Sequence, residues 1–122
     1  MDWKLDDSRS LWPQIKELLM RAIVAGEYPM GSAFPTVRDM AQEASVNRNT
    51  MQRAMAELEA EGLLITNRTA GRTVTTDSQL IDATKRKLAE KNIVTYLQEM
   101  KALGYSAKEA VMLIDEKGDF YE

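Results

Sequence analysis

A mainly α, α+β fold is predicted: three helices and a two-stranded hairpin, followed by two further helices. Three observations predict it. Apolar residues recur at steps of three and four through most of the chain, the period of one helical face. The pattern breaks once, where Leu63-Leu64-Ile65-Thr66 and Arg72-Thr73-Val74-Thr75-Thr76 are apolar or β-branched around a turn at Arg68-Thr69-Ala70-Gly71. Glycines at 26, 62, 104 and 118 close the periodic runs.

In order, residues 1–10 form a polar arm with apolar anchors at Trp3 and Leu5, and Ser10 is the expected N-cap of the first helix. That helix carries the stripe Leu11, Ile15, Leu18, Leu19, Ala22 and Ile23; Pro13 is tolerated in its first turn, and Gly26 ends it. Residues 27–34 are a connector punctuated by Pro29 and Gly31, with Ala33-Phe34 placed to pair with the hairpin. Thr36 and Asp39 make a variant capping box for a second helix whose buried face is Val37, Met40, Ala41 and Ala44. Ser45-Val46 turns the chain, and Asn47 caps a third helix. After the hairpin, Asp77 or Ser78 starts a fourth helix with Leu80, Ile81, Leu88, Ala89, Ile93, Leu97, Met100 and Leu103 apolar. Ser106 to Glu109 is a capping box for a fifth, with Ala110, Val111 and Ile114 apolar, and residues 119–122 are expected to fray.

The third helix carries the functional argument. At about 100° per residue, Met51, Ala54, Met55 and Leu58 centre on one side, and Asn49, Gln52, Arg53 and Ala56 lie on the other. The second side is polar and free of acid. Glu57, Glu59 and Glu61 come only later, away from the end that would meet phosphate. Two short helices, a tight turn and a hairpin wing make a winged helix-turn-helix, a device for placing one helix in the major groove of DNA. Residues 33–76 hold five Arg and five acidic residues, and no Lys stands between Lys16 and Lys85. Arginine offers a planar fork matched to phosphate and to the guanine edge. The acidic total, a net charge of -3, is therefore compatible with a polyanionic partner.

Composition narrows the remaining classes. With no Cys and no His there is no disulfide framework, thiolate nucleophile, imidazole base or ordinary zinc site, so neither metal nor cofactor is expected. Acids scattered along helical faces read as solvated charge, and no convergent carboxylate pair supports a small hydrolytic enzyme. Apolar runs are too short for a membrane span. Residues 1–7 lack the basic start and apolar run of a signal peptide, so a cytoplasmic protein is expected. Two helices in under fifty residues cannot bury their own stripes, so they must pack on the first domain or on a second chain. No cavity for a buried metabolite is expected, and the eight Met read as flexible core and interface filler. A docking module for another protein is the principal alternative to DNA binding; retention on heparin or DNA that is lost with salt separates the two.

The stretch Pro35–Thr76 resembles the winged helix-turn-helix of the GntR family of bacterial transcription regulators. Pro35-Thr36-Val37-Arg38-Asp39-Met40-Ala41, Val46 to Ala54, and Leu58-Glu59-Ala60-Glu61-Gly62-Leu63 follow family motifs in order; Trp12-Pro13-Gln14-Ile15 and Gly26-Glu27 with Pro29 and Gly31 follow them upstream. The short tail, Asn47-Arg48-Asn49-Thr50 and Leu103-Gly104-Tyr105-Ser106 are similar to the YtrA-type branch. The resemblance implies a homodimer on an inverted-repeat operator, acting as a repressor, with domains at 1–76 for DNA binding and 77–122 for dimerisation. It implies DNA contact by Arg38, by Arg48, Asn49, Thr50 and Gln52, and by Gly71 and its neighbours in the minor groove. The full expected contact set adds Thr36, Arg53, Arg68, Thr69 and Arg72. Leu88, Ile93, Leu97, Met100, Leu103, Val111 and Ile114 are expected at the dimer interface. Arg48 stands where many relatives have Pro, Gln52 where others have Arg, and Ala70-Gly71-Arg72-Thr73 replaces the usual Gly-x-Gly-Thr wing. Double-stranded DNA is the expected partner, and a small-molecule effector is left open.

Overall fold

The computed structural model describes residues 1–69 and 71–118. Its elements are α1 (Leu11–Val24), α2 (Val37–Ala44), α3 (Arg48–Ala60), β1 (Leu64–Asn67), β2 (Gly71–Val74), α4 (Ser78–Ala102) and α5 (Ala107–Glu116). The chain divides into two compact units, Met1–Lys85 and Arg86–Glu122, with the division inside α4.

In the first unit α1, α2 and α3 enclose one apolar core. Ile15, Leu19 and Ile23 from α1, Met40 and Ala41 from α2, and Met51, Ala54, Met55 and Leu58 from α3 meet there, joined by Leu63, Leu64 and Val74 from the hairpin. Four of the six predicted α1 stripe residues are buried, Ile15, Leu19, Ala22 and Ile23, while Leu11 and Leu18 are half-buried. Trp3 and Leu5 of the arm pack against the same core, and Ile81 brings the start of α4 into it. Fully burying a side chain such as Leu58 stabilises the unit by roughly 1.5–3 kcal/mol.

β1 and β2 are antiparallel, with Leu64 opposite Val74 and Thr66 opposite Arg72. The predicted pairing of the connector with the hairpin is present: Ala33 bridges Thr73, and the Phe34 amide donates to the Arg72 carbonyl at 2.8 Å. Gly62, at φ +83°, turns the chain from α3 into β1, and a Cβ there would stand 3.3 Å from the Leu80 side chain. The positive φ favours glycine, and any larger residue would in addition press on the end of the Leu80 side chain.

Helix starts differ in how they are capped. Ser10 occupies the N-cap of α1, but its hydroxyl makes no capping bond. Gln14 ties that end instead, donating to the carbonyls of Asp6 and Ser10 and accepting from the Asp6 amide at 2.8 Å. Asp77, rather than Ser78, caps α4 by accepting from the Leu80 amide at 3.1 Å.

The second unit holds the rest of α4, a turn at Leu103-Gly104, and α5. Ser106 and Glu109 form the full reciprocal capping box. Tyr96 Oη donates to the Ala110 carbonyl at 2.7 Å, tying α4 to α5 at the fully buried Ala110. α5 ends at Glu116 with Lys117 as its cap, one residue before the Gly118 stop that the sequence suggests; the expected fraying of 119–122 lies outside the described residues. No helix among the described residues is long and apolar enough to cross a membrane.

Candidate nucleic-acid interface

The interface is built on three residues that join α2 to α3. Ser45 adopts the left-handed conformation at φ 57°, and its amide returns to the carbonyls of Ala41 and Gln42. Asn47 then caps α3, its Oδ1 accepting from the Asn49 amide at 2.7 Å. α2 begins in the same way, with Thr36 Oγ1 accepting from the Asp39 amide at 3.1 Å. Two capped helix starts, each with partial positive charge from unpaired N–H groups, are features suited to phosphate.

α3 has the two faces that its periodicity predicts. Met51, Ala54, Met55 and Leu58 are fully buried, whereas Arg48, Asn49, Gln52, Arg53 and Ala56 are exposed and Thr50 is half-buried. Met40, Ala41 and Ala44 of α2 are buried while Arg38 is exposed. The buried faces lock α2 and α3 together, so the exposed residues are held on a rigid support.

Most acids near this surface are engaged elsewhere. Glu61 meets Lys16 Nζ at 2.6 Å, Glu43 meets the N-terminal amine at 3.7 Å, and Glu59 Oε1 accepts from Arg72 Nε at 2.9 Å and from Thr66 Oγ1 at 2.7 Å. Those hydrogen bonds, Thr66 first and Arg72 next, hold the Glu59 carboxyl below its ordinary pKa. Among the described residues no ion pair engages Arg38, Arg48 or Arg68, which leaves three arginines for phosphate or base edges.

Two predicted contact residues have partners within the fold. Arg53 lays its guanidinium over the Trp12 ring, 4.3 Å from the centroid. A guanidinium stacked by its face on a ring keeps its N–H edge able to donate to an acceptor such as a phosphate oxygen. Arg72 is only half-exposed and is bound to Glu59, so Arg68 is the wing arginine without an acidic partner. At the tip Arg68, Thr69 and Gly71 are exposed, and Gly71 holds φ +71°; Ala70 lies outside the described residues. Nothing in the sequence pattern links Trp12 to Arg53 or Glu59 to Arg72. The nearest signal is Arg72 itself, which departs from the wing motif where it stands.

The residues expected at a subunit interface are not alike. Leu88 is buried within the single chain, and Leu97 and Met100 are half-buried. Ile93, Leu103, Val111 and Ile114 are exposed, as are Val94, Tyr105 and Met112. Between α4 and α5 lies an open groove of about 590 Å³, walled by Val94, Leu97 and Tyr105. Local spacing in the sequence does not show this recess, because its walls come from α4 and from residues on the far side of the turn at Gly104. No group of acids suited to a metal ion occurs among the described residues.

Residues 12–74 match the family model of the bacterial regulatory proteins of the gntR family. The chain belongs to the GntR family. It is accordingly a DNA-binding transcriptional regulator, and the matched residues run from α1 through α2 and α3 to the end of β2. A relative, the uncharacterised HTH-type transcriptional regulator YhcF of Bacillus subtilis, is 31% identical over 109 residues, 89% of this chain and 90% of that protein. Among solved structures, a GntR family transcriptional regulator from Listeria monocytogenes superposes with a TM-score of 0.82 at 30% identity, covering 92% of this chain and 98% of that one. The DNA-binding domain of AraR, solved in complex with its operator ORR3, has a TM-score of 0.50 at 26% identity over 62% of this chain and 93% of that one.

Proposed function

We propose that the protein is a cytoplasmic repressor that binds an inverted-repeat operator as a homodimer, residues 1–76 reading DNA and residues 77–122 pairing two chains. One observation carries the reading: α3 buries Met51, Ala54, Met55 and Leu58 completely and presents Asn49, Gln52 and Arg53 on an acid-free face. The AraR domain bound to its operator supports the same use of the first unit.

In this reading α3 enters the major groove from its N-terminal end. Asn49 and Gln52 meet base edges, with Thr50 beside them. Arg38 and Arg48 bind phosphate or a guanine edge, and Thr36 brings the start of α2 to the backbone. Arg53, steadied on Trp12, serves a phosphate at the groove's rim. Arg68, with Thr69 and Gly71, reaches the adjacent minor groove, whose narrow A·T stretches attract arginine. Ile93, Leu103, Val111 and Ile114 supply the apolar surface that a second copy covers. Two-fold symmetry then sets half-sites about one helical turn apart. Occupying promoter DNA is sufficient for repression, without contact to any other protein.

The test is a titration of a DNA duplex selected by the chain from a random library. Arg38→Ala and Arg48→Ala should each weaken binding and flatten the salt slope by about one unit. Asn49→Ala should cost about 1–3 kcal/mol and relax preference at one base pair of each half-site. Unchanged affinity and slope in both arginine variants would sink the reading.

A further inference from the structure

Thr66 on β1 and Arg72 on β2 stand opposite each other in the hairpin. Both side chains converge on one oxygen of Glu59, near the C-terminal end of α3: Thr66 Oγ1 donates at 2.7 Å and Arg72 Nε at 2.9 Å. We propose that Glu59 is the positioning residue for the wing, a latch that grips both strands and sets the tip relative to α3. Arg72 then serves the latch and not the DNA. The inference rests on the reading of α3 as the recognition helix.

The anchoring of the hairpin shows why a latch matters. Its base is fixed by Leu64 and Val74, which are buried to within 1%. Beyond that base the strands bury nothing comparable: Ile65 is 44% exposed and Thr66 is exposed. A ribbon of two four-residue strands has little rigidity of its own. Glu59 reaches past the apolar base to the Thr66–Arg72 pair, one step from the tip pair Asn67–Gly71. A charge-assisted hydrogen bond from Arg72 and a hydroxyl bond from Thr66 to the same oxygen add to the connector's hold on β2, where the Phe34 amide meets the Arg72 carbonyl, and extend that hold to β1. The latch also neutralises a carboxylate that would otherwise repel the phosphate backbone. A half-exposed ion pair contributes little to global stability. Its removal should therefore show in where the wing binds and not in whether the unit folds.

The experiment uses the full chain and a duplex that it selects from a random library. Glu59→Ala should lower affinity about tenfold through lost pre-organisation and should erase hydroxyl-radical protection at the minor-groove positions that the wing covers, leaving protection at the major-groove half-site. Glu59→Gln, which keeps a carbonyl acceptor for both donors, should recover most of the loss. Arg72→Ala should reproduce the Glu59→Ala footprint, and the two substitutions together should cost no more than either alone. In an Arg68→Ala background, Glu59→Ala should change affinity less than twofold, because the tip cation that the latch places is gone. The proposal is overturned if Glu59→Ala binds and protects like the parent, if Arg72→Ala and Glu59→Ala add, or if the Glu59→Ala loss persists in full without Arg68. Should Glu59→Ala fail to fold, Thr66→Val decides between a latch and a direct Arg72 contact with DNA, because it removes a latch donor and no cation: a weakened wing footprint supports the latch and an unaltered one overturns it. Loss of binding in Arg38→Ala and Arg48→Ala beside an unaltered wing footprint in Glu59→Ala would refute the latch and leave the recognition-helix reading standing.

Discussion

The two units satisfy their apolar residues differently. In Met1–Lys85 the stripes of three helices and the inner side of a hairpin meet in one cluster, and Ile15, Leu19, Met51, Ala54, Met55, Leu58 and Leu64 lose all contact with solvent. In Arg86–Glu122 only Leu88 and Ala110 are buried among the described residues, while Ile93, Val94, Leu103, Val111, Met112 and Ile114 are more than half exposed. The first unit buries its apolar stripes within itself; the second leaves apolar side chains exposed. The proposed dimer accounts for this difference, with the exposed surface of the second unit covered by a second copy.

The largest expected effect comes from spoiling that exposed surface. Ile93→Lys with Val111→Lys should leave the first unit folded and should shift the chain from dimer to monomer in sedimentation velocity. A single reading unit then meets a single half-site, so affinity for a two-half-site duplex should fall by about 100-fold or more, the scale lost when a bivalent contact becomes monovalent. A monomeric variant that bound with parent affinity would show that the two units are not coupled through pairing.

Core substitution should separate the units in the opposite sense. Leu58→Ala, at a fully buried position, should cost about 2–5 kcal/mol of unfolding free energy through lost burial and a residual cavity. Ile114→Ala, at a side chain that is 51% exposed, should change the stability of the dilute monomer by about 0.5 kcal/mol or less. Urea denaturation at low protein concentration measures both. Raising the concentration should make Ile114→Ala more costly and leave Leu58→Ala unchanged, provided that Ile114 is covered by a second copy.

What was legible in the sequence follows the same division. The faces of α1, α2 and α3 could be read because local spacing decides burial when a helix lies on a core: Met51, Ala54, Met55 and Leu58 lie where a period of 3.6 places them. The minimal pairing of Ala33 was legible as a short strand placed against the later β-prone segments, and the caps at Thr36, Asn47 and Ser106 from their side chains alone. The contacts between elements were not legible. Arg53 meets Trp12 across two helices, and Glu59 meets Arg72 across a turn, and no periodicity encodes either. The five arginines of residues 33–76 therefore read as equals in the sequence, but the fold employs Arg72 in the wing and rests Arg53 on an aromatic ring. Leu88 likewise reads as one of a stripe of interface residues, yet its position on α4 leaves it buried within the chain.

Helix capping gives the smallest effect and the sharpest comparison of local order. Glu109 caps α5 through the Ser106 amide and accepts from it at 3.0 Å, while the Ser106 hydroxyl accepts from the Glu109 amide at 3.1 Å. Ser106→Ala should cost about 1 kcal/mol, confined to α5, read as faster amide exchange there and no change in the first unit. The same box makes α5 sensitive to acid. The backbone and then the side-chain hydrogen bond with Ser106 hold the Glu109 carboxyl below its ordinary value of 4.5. A carboxyl whose folded pKa lies below its unfolded one contributes stability that is fully present above about 4.5 and is lost as pH falls through the folded value. Helicity of α5 should therefore be flat from neutral pH to about 5 and should decline below 4.5. Glu109→Gln, which retains an acceptor but cannot titrate, should flatten that decline. If it does not, the cap contributes order to α5 without making it pH-dependent.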